Sequence, residues 1–161
     1  MLAAGGFPTE IFADEIDDTL TILHTNDWHS RIEPFPMDGG KYAGEGGAAQ
    51  RAFLINQIRS EQKNVLLLDA GDIFQGTPYF NFFHGALEMK LMSEMGYDAS
   101  AIGNHDFDAG VDGLAAQLPN ANFPLLCANY NFTNTSMEGK TLQYKTFQRG
   151  KIKIGVFGLG I

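Results

Sequence analysis

Residues 65–76 read VLLLDAGDIFQG. In Val65 to Ala70 the apolar residues do not alternate with polar ones. Such a run predicts a strand buried on both faces, the pattern of a parallel sheet. Gly71-Asp72 follows at once, so the strand ends in a tight turn carrying a carboxylate. Upstream, Thr19 to Thr25 (TLTILHT) is short, β-branched and closed by Asn26-Asp27, and reads as another strand. Residues 30–47 contain Pro34, Pro36 and several glycines and read as a loop. Ala48 to Gln62 carries a helical stripe at Ala49, Ala52, Phe53, Leu54 and Ile58. Downstream, Phe80 to Met95 returns to helical spacing through Phe80, Phe83, Leu87, Leu91 and Met95, with Gly96 as its cap. Ala99 to Gly103 is a strand, Val111 to Leu118 a short helix stopped by Pro119, and Pro124 to Ala128 a further strand. Leu142 to Gln148 and Lys151 to Leu159 form a hairpin turning near Arg149-Gly150. The order β-α-β-α-β-α-β-β-β predicts an α/β layered fold with right-handed crossovers between its parallel strands.

Composition narrows the classes of function. The chain has 161 residues, 44% of them hydrophobic, enough for one domain with a sizeable core. No apolar run approaches the roughly 18 residues of a spanning helix, so no membrane partner is expected. A net charge of -8 argues against a nucleic-acid polymer as partner, because that needs a basic face. A phosphate-bearing small substrate stays open, since metal ions reverse the local sign of a site. The lone Cys127 excludes an internal disulfide. Residues 1–18 end in the acidic DEIDD and read as a leader or as a signal remnant ending near Ala13; the domain proper spans residues 19–161.

Chemistry collects at strand ends. Three predicted strands run into Asn26-Asp27-Trp28-His29, Gly71-Asp72 and Gly103-Asn104-His105-Asp106. Open α/β sheets bind ligands outside the carboxyl ends of their strands, so these segments share one edge. Asp and Asn supply hard oxygen donors and His supplies nitrogen, a mixture suited to manganese, iron or zinc. Asp27 and His29 stand at i and i+2, so an extended backbone would point both to one side. Trp28 should then pack behind them. Met89, Met92 and Met95 read as core, Asp106 as structural, His24 as packed within its strand or supporting the ligands from behind, and His84 as a surface residue early in a helix. Gln75 reads equally as a turn residue or a site-edge residue.

Taken together, Asp27-x-His29, Gly71-Asp72-x-x-Gln75-Gly76-Thr77-Pro78 and Gly103-Asn104-His105-Asp106-Phe107-Asp108 resemble the motifs of the calcineurin-like metallophosphoesterases. Ile22-Leu23-His24-Thr25-Asn26 and Met95-Gly96-Tyr97-Asp98-Ala99 are similar to the 5'-nucleotidase branch. The resemblance implies an αββα sandwich, here incomplete: a parallel βαβαβαβ half plus a C-terminal hairpin. It implies two divalent metal ions, with Asp27 and His29 on the first, Asp72 bridging and Asn104 on the second. It implies a catalytic dyad of His105 and Asp108, in which the carboxylate orients the imidazole. An N-cap is the competing role for Asp108.

The family pattern continues with a further His and a Gly-His-x-His-like segment, yet none of the four histidines follows His105. The expectation is therefore the N-terminal part of a catalytic domain, inactive alone. The missing ligands would come from the C-terminal half of the same protein or from a complementing chain. The implied reaction is hydrolysis of nucleoside 5'-monophosphates. The alternatives are a 2',3'-cyclic phosphodiesterase, a nucleotide-sugar hydrolase or a noncatalytic metal- or partner-binding fragment. Export is frequent in this branch, which points to a periplasmic or otherwise extracytoplasmic location.

Overall fold

The computed structural model describes residues 19–161, and the leader expected at 1–18 lies outside them. Strands β1 (Thr21–Thr25), β2 (Val65–Asp69), β3 (Ala99–Ala101) and β4 (Leu125–Leu126) form a parallel sheet in sequential order β1-β2-β3-β4. Their connections hold helices α1 (Gly47–Glu61), α2 (Pro78–Phe83), α3 (Ala86–Met95) and α4 (Gly110–Gln117). Right-handed crossovers between strands laid down in order put the helices on one face. Leu67 of β2 looks into that helical layer, among Trp28, Ile55, Met89, Met92, Met95 and Leu114.

The opposite face takes the antiparallel hairpin β5 (Tyr144–Arg149) and β6 (Ile152–Phe157), joined across Gly150-Lys151. Phe147 packs there on Leu66, Ala99 and Leu126. Arg149 fixes the hairpin to the sheet: its Nε donates to the Val65 carbonyl at 2.7 Å and its Nη2 lies 2.5 Å from Asp98 Oδ1. β2 is thus covered on both sides, as its apolar pattern requires. The result is the α/β layering expected, with a parallel half and a C-terminal hairpin.

Two helical readings need correction. Phe80 to Met95 is not one helix, because His84 (φ 51°) and Gly85 (φ 96°) are left-handed and separate α2 from α3. The Phe74 ring packs where a side chain on Gly85 would stand, so this left-handed break suits glycine alone. His84 accordingly ends α2 instead of lying early in a helix, and it is exposed as expected. In α1 the buried residues are Gly47, Ala48 and Ile55, whereas Phe53 and Leu54 are 71% and 55% exposed. The assumed stripe spread over too wide an arc to be one face. α1 is held by Ala48 and Ile55 on the core and, in its last turn, by Arg59, which donates to the carbonyls of Met95 (2.5 Å) and Gly96 (2.7 Å) that close α3.

Candidate functional site

The strand register builds the floor of the site. Thr25, Asp69 and Ser100 are direct neighbours across β1, β2 and β3. Asp69 is buried, and it accepts from Thr25 Oγ1 (2.5 Å), Ser100 Oγ (3.0 Å) and the Gly71 amide (2.9 Å). The Tyr97 hydroxyl joins at 2.8 Å from Thr25 Oγ1. Burial raises the Asp69 pKa, against these hydrogen bonds and the charge of Arg51. An acid inside an apolar strand was the available signal for this network, and sequence reasoning passed over it.

On this floor two loops are sewn together. The amides of Asp27, His29 and Ser30 donate to the carbonyls of Gly71 (3.0 Å), Asp72 (3.0 Å) and Ile73 (2.9 Å). The Asp27–His29 segment is not extended. Asp27, His29 and Ser30 take φ of 52°, 49° and 51°, and Asp72 takes 57°. Non-glycine residues there cost about 1–2 kcal/mol each, so the surrounding contacts must impose the conformation. The i, i+2 argument therefore reached the right pairing through the wrong backbone. Trp28 is buried behind the turn, and its indole N–H donates to the Arg31 carbonyl at 2.9 Å. Gln75 is a turn residue: its φ is 67° and its side chain accepts from the Gly76 amide.

Asp106 clasps the second loop. One carboxylate oxygen accepts from the amides of Ile73 (2.8 Å) and Phe74 (3.2 Å), the other from Gly103 (2.8 Å) and Asp72 (3.2 Å). Burial raises its pKa to about 6, against the pull of the amides. Asp106 is structural, as expected, and it holds the turn that presents Asp72. Gly71 and Gly103 interlock backbone to backbone, and a side chain on Gly103 would meet the Asp72 carboxylate.

The outcome is a cluster. Asp27, His29 and Asp72 each place a donor atom within 4.8 Å of the others. His29 Nε2 lies 3.5 Å from Asp27 Oδ1, and Asn26 donates to Asp27 Oδ2. Asp72 Oδ1 accepts from the His105 amide at 2.9 Å. Asn104 is exposed and immediately precedes that amide. Two carboxylates this close repel each other, and a cation between them relieves the repulsion. The residues present therefore fit a divalent ion.

Beside the cluster, His105 Nδ1 stands 3.0 Å from Asp108 Oδ2, and the His29 and His105 rings meet edge to face at 5.1 Å. The bond to Asp108 raises the His105 pKa. Asp108 does not cap α4, whose N-cap is Ala109. His24 corrects another expectation. It is exposed, and it lines a pocket with Leu68, Val156 and Phe157 on the hairpin side of the sheet, away from the cluster. Arg51 was also missed. Its guanidinium lies 4.3 Å from the centre of the Trp28 ring, with Asp69 and Tyr97 offsetting its burial. No local motif marks it.

Known proteins share this fold. A 5'-nucleotidase precursor from Thermus thermophilus superposes with a TM-score of 0.81 at 38% identity, over 88% of this chain and 28% of that one. The NAD nucleotidase of Haemophilus influenzae gives 0.80 at 34% identity, over 88% and 29%. The snake venom 5'-nucleotidase of Crotalus adamanteus is 47% identical over 146 residues, 86% of this chain and 25% of that protein. The chain thus spans about a quarter of the length of the curated relatives it matches. The pattern of calcineurin-like phosphoesterases matches residues 20–154 and so takes in both sewn loops, the Asp106 clasp and the first strand of the hairpin. With almost the whole described chain inside that match, the protein belongs to the calcineurin-like phosphoesterase family.

Proposed function

We propose that this chain carries part of the active site of a metal-dependent phosphoric ester hydrolase acting, like the 5'-nucleotidases it resembles, on nucleoside monophosphates. The convergence of Asp27, His29 and Asp72 within 4.8 Å, next to a His105–Asp108 pair, is the observation that carries this reading. In it, Asp27 and His29 would hold one divalent ion, and Asp72 and Asn104 would supply donors for a second. Ions so held supply Lewis acidity toward a phosphoryl oxygen and lower the pKa of water.

The chain's own groups do the remaining work. The His105 amide holds the Asp72 carboxylate in place through Oδ1, and an oxygen of that carboxylate lies in the ligand cluster. Asp108 engages Nδ1 of His105, so Nε2 is the nitrogen free to donate. Because Asp108 favours the imidazolium, His105 offers charge to the phosphoryl group and a proton from Nε2 to the departing oxygen. Coordination positions left open by these donors fall to water, to substrate or to a further polypeptide segment, here proposed as the C-terminal half of the same protein. The leader reading and the venom relatives support an exported protein. The likeness to an NAD nucleotidase favours, as a second reading, substrates that carry a diphosphate.

AMP hydrolysis with added manganese, by this chain joined to the C-terminal half proposed above, tests the proposal. Asp72→Ala should lower the rate by about two to three orders of magnitude or more, with the fold retained by circular dichroism. Equal rates in the two proteins would remove Asp72 and this site from the reaction.

A further inference from the structure

A pocket of about 260 Å³ opens beside the cluster. Asp27 and His29 form one wall, and Arg31, Arg51 and the Gly46-Gly47 start of α1 form the rest. Both guanidiniums lie on aromatic rings: Arg51 is 4.3 Å from the centre of Trp28 and Arg31 is 4.7 Å from that of Phe35. Stacking occupies the flat face of a guanidinium and leaves its N–H edge for in-plane acceptors. Arg31 has no ion-pair partner among the described residues, and Arg51 feels the Asp69 charge and the Tyr97 hydroxyl without a direct ion pair. Arg51 Nη1 is buried without a hydrogen-bond acceptor among them. Asp69 and Tyr97 offset part of the Arg51 charge from behind, and the pocket itself sets two guanidinium groups against the single carboxylate of Asp27, a balance that favours an anionic occupant. The first turn of α1 contains no acidic residue that could serve.

We propose that Arg31 and Arg51 form an oxyanion subsite for phosphate, adjoining the Asp27–His29–Asp72 cluster. Two pre-oriented guanidinium edges match the geometry of a tetrahedral oxyanion. The phosphate is either the second phosphate of a diphosphate-bearing substrate, whose first phosphate lies at the cluster, or free inorganic phosphate. The first source rests on the phosphohydrolase reading; the binding itself does not.

The test follows the arginine Nε–Hε signals of the full chain by NMR in EDTA, so that no metal-dependent turnover enters the readout. Methylenediphosphonate and inorganic phosphate are titrated in turn, with potassium chloride at matched ionic strength as control. Saturable shifts of the Arg31 and Arg51 signals are expected with the phosphorus oxyanions and not with chloride. Arg51→Met and Arg31→Met should each weaken binding about tenfold or more, with Arg51→Lys between parent and Met. Because Arg51 also packs on Trp28, the Arg31→Met result decides should Arg51→Met unfold. Diphosphonate binding about tenfold tighter than phosphate identifies the second phosphate of a substrate; equal affinities identify free phosphate. Signals that do not move, that move equally with chloride, or that titrate alike in folded parent and Arg31→Met overturn the subsite. A chain inert on AMP leaves this titration unaffected, so the two proposals fail separately.

Discussion

Single side chains set the electrostatics of the site. His105 owes its raised pKa first to the Asp108 hydrogen bond. In the metal-free chain, Asp108→Asn should therefore move the imidazole titration, read by NMR, to lower pH; an unmoved midpoint would detach Asp108 from that role. Asp106 poses a contest between burial and four amide donors, and burial prevails, with a pKa of about 6 against an ordinary 3.8. In EDTA, the carbon resonance of its carboxyl group should titrate near pH 6, whereas a midpoint below 4.5 would show that the amides win. The sign of the linked stability follows from the raised value. Above pH 6 the buried carboxylate is ionised and opposes folding. As pH falls from 6 toward 4 the folded chain takes up its proton first, and this group then regains up to about 3 kcal/mol.

Among the elements, α1 separates periodicity from packing. Phe53 and Leu54 lie on its open side, while Ile55 is buried against the core. Phe53→Ser should change stability by no more than about 0.5 kcal/mol in urea unfolding. Ile55→Ala should cost about 2–4 kcal/mol in the same assay. The reverse ranking would restore the stripe at Ala49, Ala52, Phe53, Leu54 and Ile58. A similar lesson holds for α2 and α3. Their apolar spacing is continuous, but a left-handed pair at His84-Gly85 divides them.

Across the molecule, the sheet and its loops decide how many metal donors converge. His24 looks toward the hairpin face, His84 ends α2, and His105 is engaged by Asp108, which leaves His29 as the imidazole within the cluster. Zinc in closed sites takes about four protein ligands, and harder ions take about six donors. With so few donors, this chain is expected to hold at most one ion tightly. Equilibrium dialysis with manganese or zinc should give one tight ion per chain, and two at comparable affinity would overturn that count.

Much of this was legible in the chain itself. The apolar run of β2, the β-branched β1 and the polar residues after each determined a parallel sheet with donors at one edge. Strand burial and strand-end placement are local consequences of side-chain pattern, so those readings needed no tertiary information. The proposed donors Asp27, His29, Asp72 and Asn104 and the proposed His105–Asp108 pair were read from their motifs. What only the tertiary structure decided depends on contacts far apart in sequence. The left-handed turns at Asp27, His29 and Asp72 exist because three amide bonds and the Asp106 clasp impose them. The face chosen by His24, the break at Gly85 and the placing of Arg51 on Trp28 likewise come from neighbours in space. Periodicity specifies which residues can share a face, whereas packing selects the face and closes the backbone around it.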